Sequence, residues 1–354
     1  MEKSVLVAMS GGVDSSTTAA LLKEMGYRVG GAHMRLRYRT PYEKNKSDLN
    51  VDFVEKTTQL LDIPFHLINL EQTFEKNVIE PFIQDYQNGV TPNPCINCNM
   101  KIKFGELYNA ARSLGYQYMA TGHYSKVSRL PNGRFAIFPV TDDTKDQSYY
   151  LYGLGQDVLA NILFPLNIYK KAQVREIARK YKLPAAERKE SQEICFVEGD
   201  YRKFFNDQGI QFEPGYVKTT DGKIIGEHKG KENYTVGQRK GLNIATGTPM
   251  YVIKIENNDI IVGHKEELFK QTFTVKEINY QGLALEELKK SAPLKALVQV
   301  RYNSKPASGI LTFNELENEI KVEISENIHS VTPGQSAVFF EESEKYILAG
   351  GIIT

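Results

Sequence analysis

Ser4-Val5-Leu6-Val7-Ala8-Met9-Ser10-Gly11-Gly12-Val13-Asp14-Ser15-Ser16 is the stretch on which the reading of this chain turns. Ser4 to Ala8 is an apolar run of strand length, broken at Ser10-Gly11-Gly12, and Asp14 to Met25 reads as a helix through Ala19, Ala20, Leu21 and Leu22. Two successive glycines allow a tight turn that presents backbone N–H groups to an anion. The helix start behind them adds unpaired donors and the positive end of a dipole. Ser10, Ser15 and Ser16 bring hydroxyl donors, and Asp14 is a candidate Mg²⁺ ligand. The other phosphate loop, GxxxxGK[ST], is absent together with its Lys. The plain structural alternative is a Gly-rich turn with an Asp/Ser helix cap.

Outward from this loop, strand and helix patterns alternate. Tyr27–Met34, Phe65–Leu70 and Tyr118–Thr121 read as strands, and Val51–Leu61, Phe74–Tyr86, Phe104–Leu114 and Lys171–Tyr181 as helices. Such alternation implies a parallel sheet with right-handed crossovers. Pro131-Asn132-Gly133 is a hairpin signal. Beyond about residue 210 short strands dominate, with turns at Asp221-Gly222, Asn257-Asn258 and Pro333-Gly334 and one helical stretch at Leu283–Lys290. The expected architecture is an α/β catalytic domain over 1–205, a small linker domain over 206–270 and a β-barrel over 271–354.

A length of 354 residues calls for two or three domains, and 41% hydrophobic with 25% charged residues is ordinary globular composition. No run of about 18 apolar residues is present, and no secretory signal, so no membrane span is expected. Three cysteines do not suit a secreted disulfide scaffold, which places the chain in reducing cytoplasm. The net charge of +1 hides opposite patches. Residues 167–190 hold eight Lys or Arg against three Glu, 35–46 five against one, and 315–345 eight Glu against two Lys. The basic segments suit a polyanion or plain solvated faces equally.

Cys95 and Cys98 lie in Thr91-Pro92-Asn93-Pro94-Cys95-Ile96-Asn97-Cys98, read as a stiff Pro-rich loop, and Cys195 in Glu193-Ile194-Cys195-Phe196. A thiolate can carry sulfur as a persulfide and be resolved through a disulfide. Buried small hydrophobes, half a zinc site, or three corners of an iron–sulfur cluster on Cys95, Cys98 and Cys195 are the alternatives.

The loop resembles that of the PP-loop ATP pyrophosphatases. That resemblance implies cleavage of ATP to AMP and pyrophosphate, with Ala8, Met9, Ser10, Gly11, Gly12, Val13, Asp14 and Ser15 around the nucleotide. It also implies that Met34 contacts adenine and that Gly122 approaches the nucleotide. Over nearly the whole chain the motifs resemble the bacterial tRNA-specific 2-thiouridylases. These motifs are SGGVDSS, TPNPCINCN, ATGHY at Ala120–Tyr124, KDQSYYL at Lys145–Leu151, SQEICF, YTVGQRKGL at Tyr234–Leu242 and LAGGII. The resemblance implies adenylation and thiolation at C2 of the wobble uridine in tRNAs for Lys, Glu and Gln. Cys195 would hold a persulfide from a sulfur donor, and Cys98 would be its partner, a Cys98–Cys195 disulfide closing the turnover. Asn93, Pro94 and Cys95 would border the extruded base, and His123, Lys145, Asp146, Gln147, Arg301, Tyr302 and Gln335 would touch tRNA or nucleotide. Many relatives carry Asp where this chain has Cys95, so the acid/base role of that position is open. A small-molecule PP-loop synthetase and a non-catalytic tRNA-binding protein are the rival readings.

Overall fold

The computed structural model describes all residues except 1, 37–40, 141–144, 189–193, 198, 243, 245–246, 292, 330 and 344; the side chains of 41–48 and 329 are also outside the description. Strands β1 (Ser4–Ala8), β2 (Arg28–Arg35), β3 (Phe65–Asn69) and β4 (Tyr118–Ala120) are followed by the antiparallel hairpin β5 (Lys126–Arg129) and β6 (Phe135–Phe138), then β7 (Ile162–Leu163). The main sheet is parallel in the order β3-β2-β1-β4-β7. β1 is central and apolar on both faces. Val5 and Val7 pack in one core with Ala19, Leu22, Val54 and Val174, while Leu6 packs in the other with Phe74, Ile102 and Leu107. This is the alternation a strand buried between two helical layers requires.

The Pro-rich loop expected around Cys95 is instead a helix. Winding starts at Pro94–Asn97, runs as a π-helix over Cys98–Leu107 and ends in Tyr108–Ser113. The physical reason is that proline at the first helical position loses no intrahelical hydrogen bond and has the right φ. The helix expected from Val51 also starts earlier, at Pro41, and runs to Leu60.

β8 (Gly215–Thr219), β9 (Ile224–His228), β10 (Tyr251–Glu256) and β11 (Asp259–Gly263) form a small sheet in the order β10-β11-β8-β9 around Val217, Val252, Ile260 and Val262. β12 (Phe269–Tyr280), β13 (Leu294–Gln299), β14 (Ala307–Asn314), β15 (Glu319–His329), β16 (Ser336–Phe340) and β17 (Ile347–Ile353) close a barrel in the order β12-β15-β14-β13-β16-β17. Closure leaves no unpaired sheet edge.

The barrel is welded to the catalytic domain. Gln281 is fully buried; its Nε2 donates to the carbonyls of Leu151 (2.7 Å) and Tyr152 (2.9 Å), and its Oε1 accepts from the Ile137 N–H (3.2 Å). Asn279 donates to the Tyr152 carbonyl at 2.6 Å, and the Tyr149 hydroxyl to the Ser336 carbonyl at 2.9 Å. No helix among the described residues is long and apolar enough to cross a membrane.

Gln281→Leu strands the Ile137 N–H and at least one carbonyl in a dry interface. Stability should fall by about 3 kcal/mol, read as a lower urea midpoint. An unchanged midpoint would show that this clamp is not what joins the domains.

Candidate active site

The Gly turn sits where β1 hands over to helix Val13–Glu24. The Met9 N–H donates to the Ala32 carbonyl (2.7 Å), and His33 Nδ1 donates to the Met9 carbonyl (2.8 Å), so the strand end is tied to β2. Met9 and Val13 are buried in the core. They line the turn through their backbone only. Gly11 has φ +74°, and a Cβ there would stand 2.9 Å from the Asn50 carbonyl oxygen, so only glycine fits. The Ser15 hydroxyl donates to the Gly12 carbonyl and accepts from the Ser10 N–H, both at 3.2 Å. Gly122 lies directly on the helix start, since a Cβ there would be 2.9 Å from Asp14 Cβ and Ser15 N. Its observed contact is with this helix. Met34 sits near the end of β2, opposite Ile68.

Asp14 is held by two residues the sequence reading did not single out. Lys171 Nζ is 2.7 Å from each carboxylate oxygen, and the Tyr124 hydroxyl donates at 2.8 Å. Arg188 donates through Nη1 to the Gly11 carbonyl (2.8 Å) and through Nη2 to Asn50 Oδ1 (2.6 Å), and stacks 4.5 Å over the Phe53 ring. The basic segment 167–190 therefore divides. Lys171 and Arg188 turn onto the loop, whereas Arg179 and Lys180 make exposed pairs with Glu187 and Glu24. Spacing could not reveal the loop contacts, because Asp14 and Gly11 are 157 and 177 residues from Lys171 and Arg188.

Asn93 precedes the thiol helix and Pro94 opens it. Cys95 is exposed and Cys98 is buried among Ile96, Ile102 and Phe104. Burial pushes the Cys98 thiol up, with Cys95 adding to the rise and the Lys103 charge opposing it; the Cys95 side chain reaches solvent, but the protein packed around it still pushes its thiol up, against the same Lys103 charge. Lys103 is five residues beyond Cys98 in a π-helical stretch, a winding that recurs at functional sites. Phe104 stands 5.8 Å from the His123 ring, and His123 Nδ1 is 2.7 Å from the Thr121 hydroxyl. Burial drives His123 well below its ordinary value, with Lys103 assisting, so it is neutral at pH 7.

Cys195 is exposed, between Ile194 and the buried Phe196. The Phe196 ring meets Phe74 at 5.7 Å, Phe82 at 5.3 Å and Phe204 at 5.5 Å, all edge-on. Phe196 and Cys98 belong to one core, so both thiol segments are built on the same face of the sheet. None of the three cysteines is in a disulfide. Among the described residues no three His, Cys, Asp or Glu side chains converge to hold a metal ion.

The residues expected to touch tRNA mostly have partners within the chain. Asp146 accepts from the Val140 N–H (3.0 Å) and the Ser148 hydroxyl (2.5 Å), and Gln147 Oε1 accepts from the Tyr124 N–H (3.0 Å). Lys145 precedes them, half-buried. Arg301 donates to the Val236 carbonyl (3.2 Å) and to the Thr332 hydroxyl, bridging the small sheet and the barrel. Gln335 donates to the Thr91 carbonyl (2.7 Å), fastening the barrel just ahead of the thiol helix. Tyr302 stacks on Tyr150 with ring centroids 4.5 Å apart.

A parallel sheet whose first strand ends in SGGVDSS at a helix start, extended by a small sheet and a closed barrel, defines a PP-loop protein with appended β domains. Family models match along the chain: "tRNA methyl transferase HUP domain" at residues 3–199, "tRNA methyl transferase PRC-barrel domain" at 203–264 and "Aminomethyltransferase beta-barrel domain" at 270–353. A tRNA-specific 2-thiouridylase MnmA of Leptospira interrogans is 46% identical over 99% of this chain and 94% of its own length. One from Carboxydothermus hydrogenoformans is 42% identical over 99% and 97%. Among solved structures, the U34-tRNA thiolase NcsA from Methanococcus maripaludis with its [4Fe-4S] cluster is similar at 17% identity and a TM-score of 0.37, over 58% of this chain and 65% of that one, too distant to bear on these cysteines. The chain belongs to the tRNA-specific 2-thiouridylase family of the PP-loop superfamily.

Burial lowers His33, His66, His123 and His228. A His with a folded-state value below its unfolded one binds its proton first in the unfolded chain. Stability should therefore be flat above the ordinary value of 6.5 and fall as pH drops through it. Urea midpoints at pH 7.5 and 5.5 measure this, and equal midpoints would contradict it.

Proposed function

We propose that this protein is an ATP-dependent tRNA-uridine 2-sulfurtransferase with the domain division 1–205, 206–270 and 271–354. One observation carries the reading. The Gly turn and the thiol helix are linked without a break through Gly122, which lies on Asp14, and His123, whose ring meets Phe104. An activated oxygen made at the turn is then close to the thiols.

The wobble-uridine C2 oxygen attacks the α-phosphorus of ATP and pyrophosphate leaves. The loop N–H groups and helix start of residues 8–15 receive the phosphates. Lys171 supplies the cation that the missing GxxxxGK[ST] Lys would have brought, exchanging Asp14 for the nucleotide, and Asp14 then becomes available to Mg²⁺. The terminal sulfur of a Cys195 persulfide attacks C2, and AMP departs with the former C2 oxygen. The Cys98 thiolate then attacks Cys195 Sγ. The S–S bond breaks, its electron pair stays on the sulfur now bound to C2, and a Cys98–Cys195 disulfide remains for a cellular thiol reductant. Burial raises Cys98 and so opposes the thiolate this step needs, and the Lys103 charge works against that rise. No step is assigned to a metal cluster. Substrates are tRNAs for Lys, Glu and Gln, the sulfur arrives from a persulfide donor, and the site of action is the cytoplasm. Methyl transfer, the activity in the family models' description, has no use for ATP cleavage or paired thiols.

Single-turnover incubation with ATP, Mg²⁺, a small-molecule persulfide as sulfur donor and tRNA, followed by mass analysis of nucleosides, should show 2-thiouridine and tRNA-dependent pyrophosphate release. Cys195→Ser should lose the thionucleoside and keep pyrophosphate release; retained thiolation removes Cys195 from the mechanism. ATP cleavage without tRNA would favour a small-molecule synthetase, and tRNA binding without cleavage a non-catalytic protein. Lys171→Met should raise the KM for ATP about 10- to 100-fold, the size of a charged hydrogen bond. An unchanged KM would leave Lys171 as a structural partner of Asp14 only.

A further inference from the structure

Tyr150 has no role in the reading so far, yet it stands between the thiol helix and the barrel. It follows Tyr149, whose hydroxyl docks the barrel at Ser336. Its carbonyl accepts from Asn99 Nδ2 at 3.1 Å, which pins it to the residue after Cys98. Its ring is half-buried and lies 4.5 Å from the half-buried ring of Tyr302, tilted by 35°. Tyr302 comes from the barrel, so this ring pair spans the boundary between two domains. The exposed Cys95 is close enough for its charge to bear on the Tyr150 hydroxyl, which burial, foremost, also holds above its ordinary value.

We infer that Tyr150 is the residue on which the target base stacks once extruded from the anticodon. The inference rests on the proposed function. A stacked uridine does not expose its C2 to a thiol, so the base must leave its neighbours and be held elsewhere. Holding a single extruded base is a task for an aromatic face, because stacking needs no particular hydrogen-bond pattern. Two rings with centroids 4.5 Å apart leave no slot between them, so a base has to lie on the face of Tyr150 turned away from Tyr302. The Asn99–Tyr150 hydrogen bond fixes the segment that carries this ring relative to Cys98. Tyr302 buttresses the ring from the barrel, which explains why docking of a remote domain matters to the chemistry. The phenolic hydroxyl makes no hydrogen bond with the described residues, so the ring itself is the useful part.

The test uses the full chain and whole tRNA carrying either uridine or an abasic site at the wobble position. For the unmodified protein the abasic tRNA should bind more weakly, on the order of tenfold for one base–aromatic stack. Tyr150→Leu should weaken binding of the uridine tRNA by a similar factor and bring the two tRNAs to equal affinity. Tyr150→Phe should keep the original ratio. If Tyr150→Leu retains the full difference between the two tRNAs, the base stacks elsewhere and the inference is overturned. ATP binding measured on the same variants reports folding, since the Gly turn does not touch Tyr150. Absence of any tRNA binding by the unmodified protein would instead bring down the proposed function.

Discussion

The buried amide of Gln281 is the constraint on which the rest depends. Its two donor bonds and one acceptor bond reach the segment Leu151–Tyr152 and strand β6 at once. A polar side chain without solvent access must find all its partners in the protein, and here they exist in one relative placement of barrel and catalytic domain. That placement puts Tyr302 against Tyr150 and Gln335 against Thr91. The barrel is thereby a wall of the thiol site. Glycine contributes to the same fit: a Cβ at Gly334 would lie 2.0 Å from Val90, and one at Gly350 would lie 2.6 Å from the Tyr152 ring.

Charge is arranged with comparable economy. The Gly turn has Arg188 on the Gly11 carbonyl and Lys171 on Asp14. Lys171 has little exposure, 14% of its side chain, so its pairing with Asp14 is screened less than a surface bridge. At the thiols the opposite problem arises, since burial favours the neutral form. Lys103 acts against burial at Cys95 and Cys98. It acts with burial at His123, keeping the ring uncharged one residue from Gly122.

Much of the catalytic domain was legible along the chain because its signals are local. Five apolar residues, a glycine pair and a helix start define a strand–turn–helix whatever lies around them. The helix at Pro94 is not legible in the sequence because two prolines suggest a break, whereas proline at the first helical turn is an initiator. For Asp146, Gln147, Arg301 and Gln335 the expected contacts with RNA came from the family resemblance, and the fold adds to each a partner within the chain that neighbouring residues do not reveal.

By itself the sequence determined the PP-loop class, the order of an α/β half and a β half, and the candidate chemistry of a glycine turn with three thiols, because periodicity, turn chemistry and motif are properties of neighbouring residues. Only the tertiary structure decided that Lys171 and Tyr124 hold Asp14, that Lys103 serves both helical thiols, and that Tyr150 meets Tyr302. The reason is physical: a charge or a ring acts over a few ångströms, and the residues within that range are selected by strand order and domain docking rather than by distance along the chain.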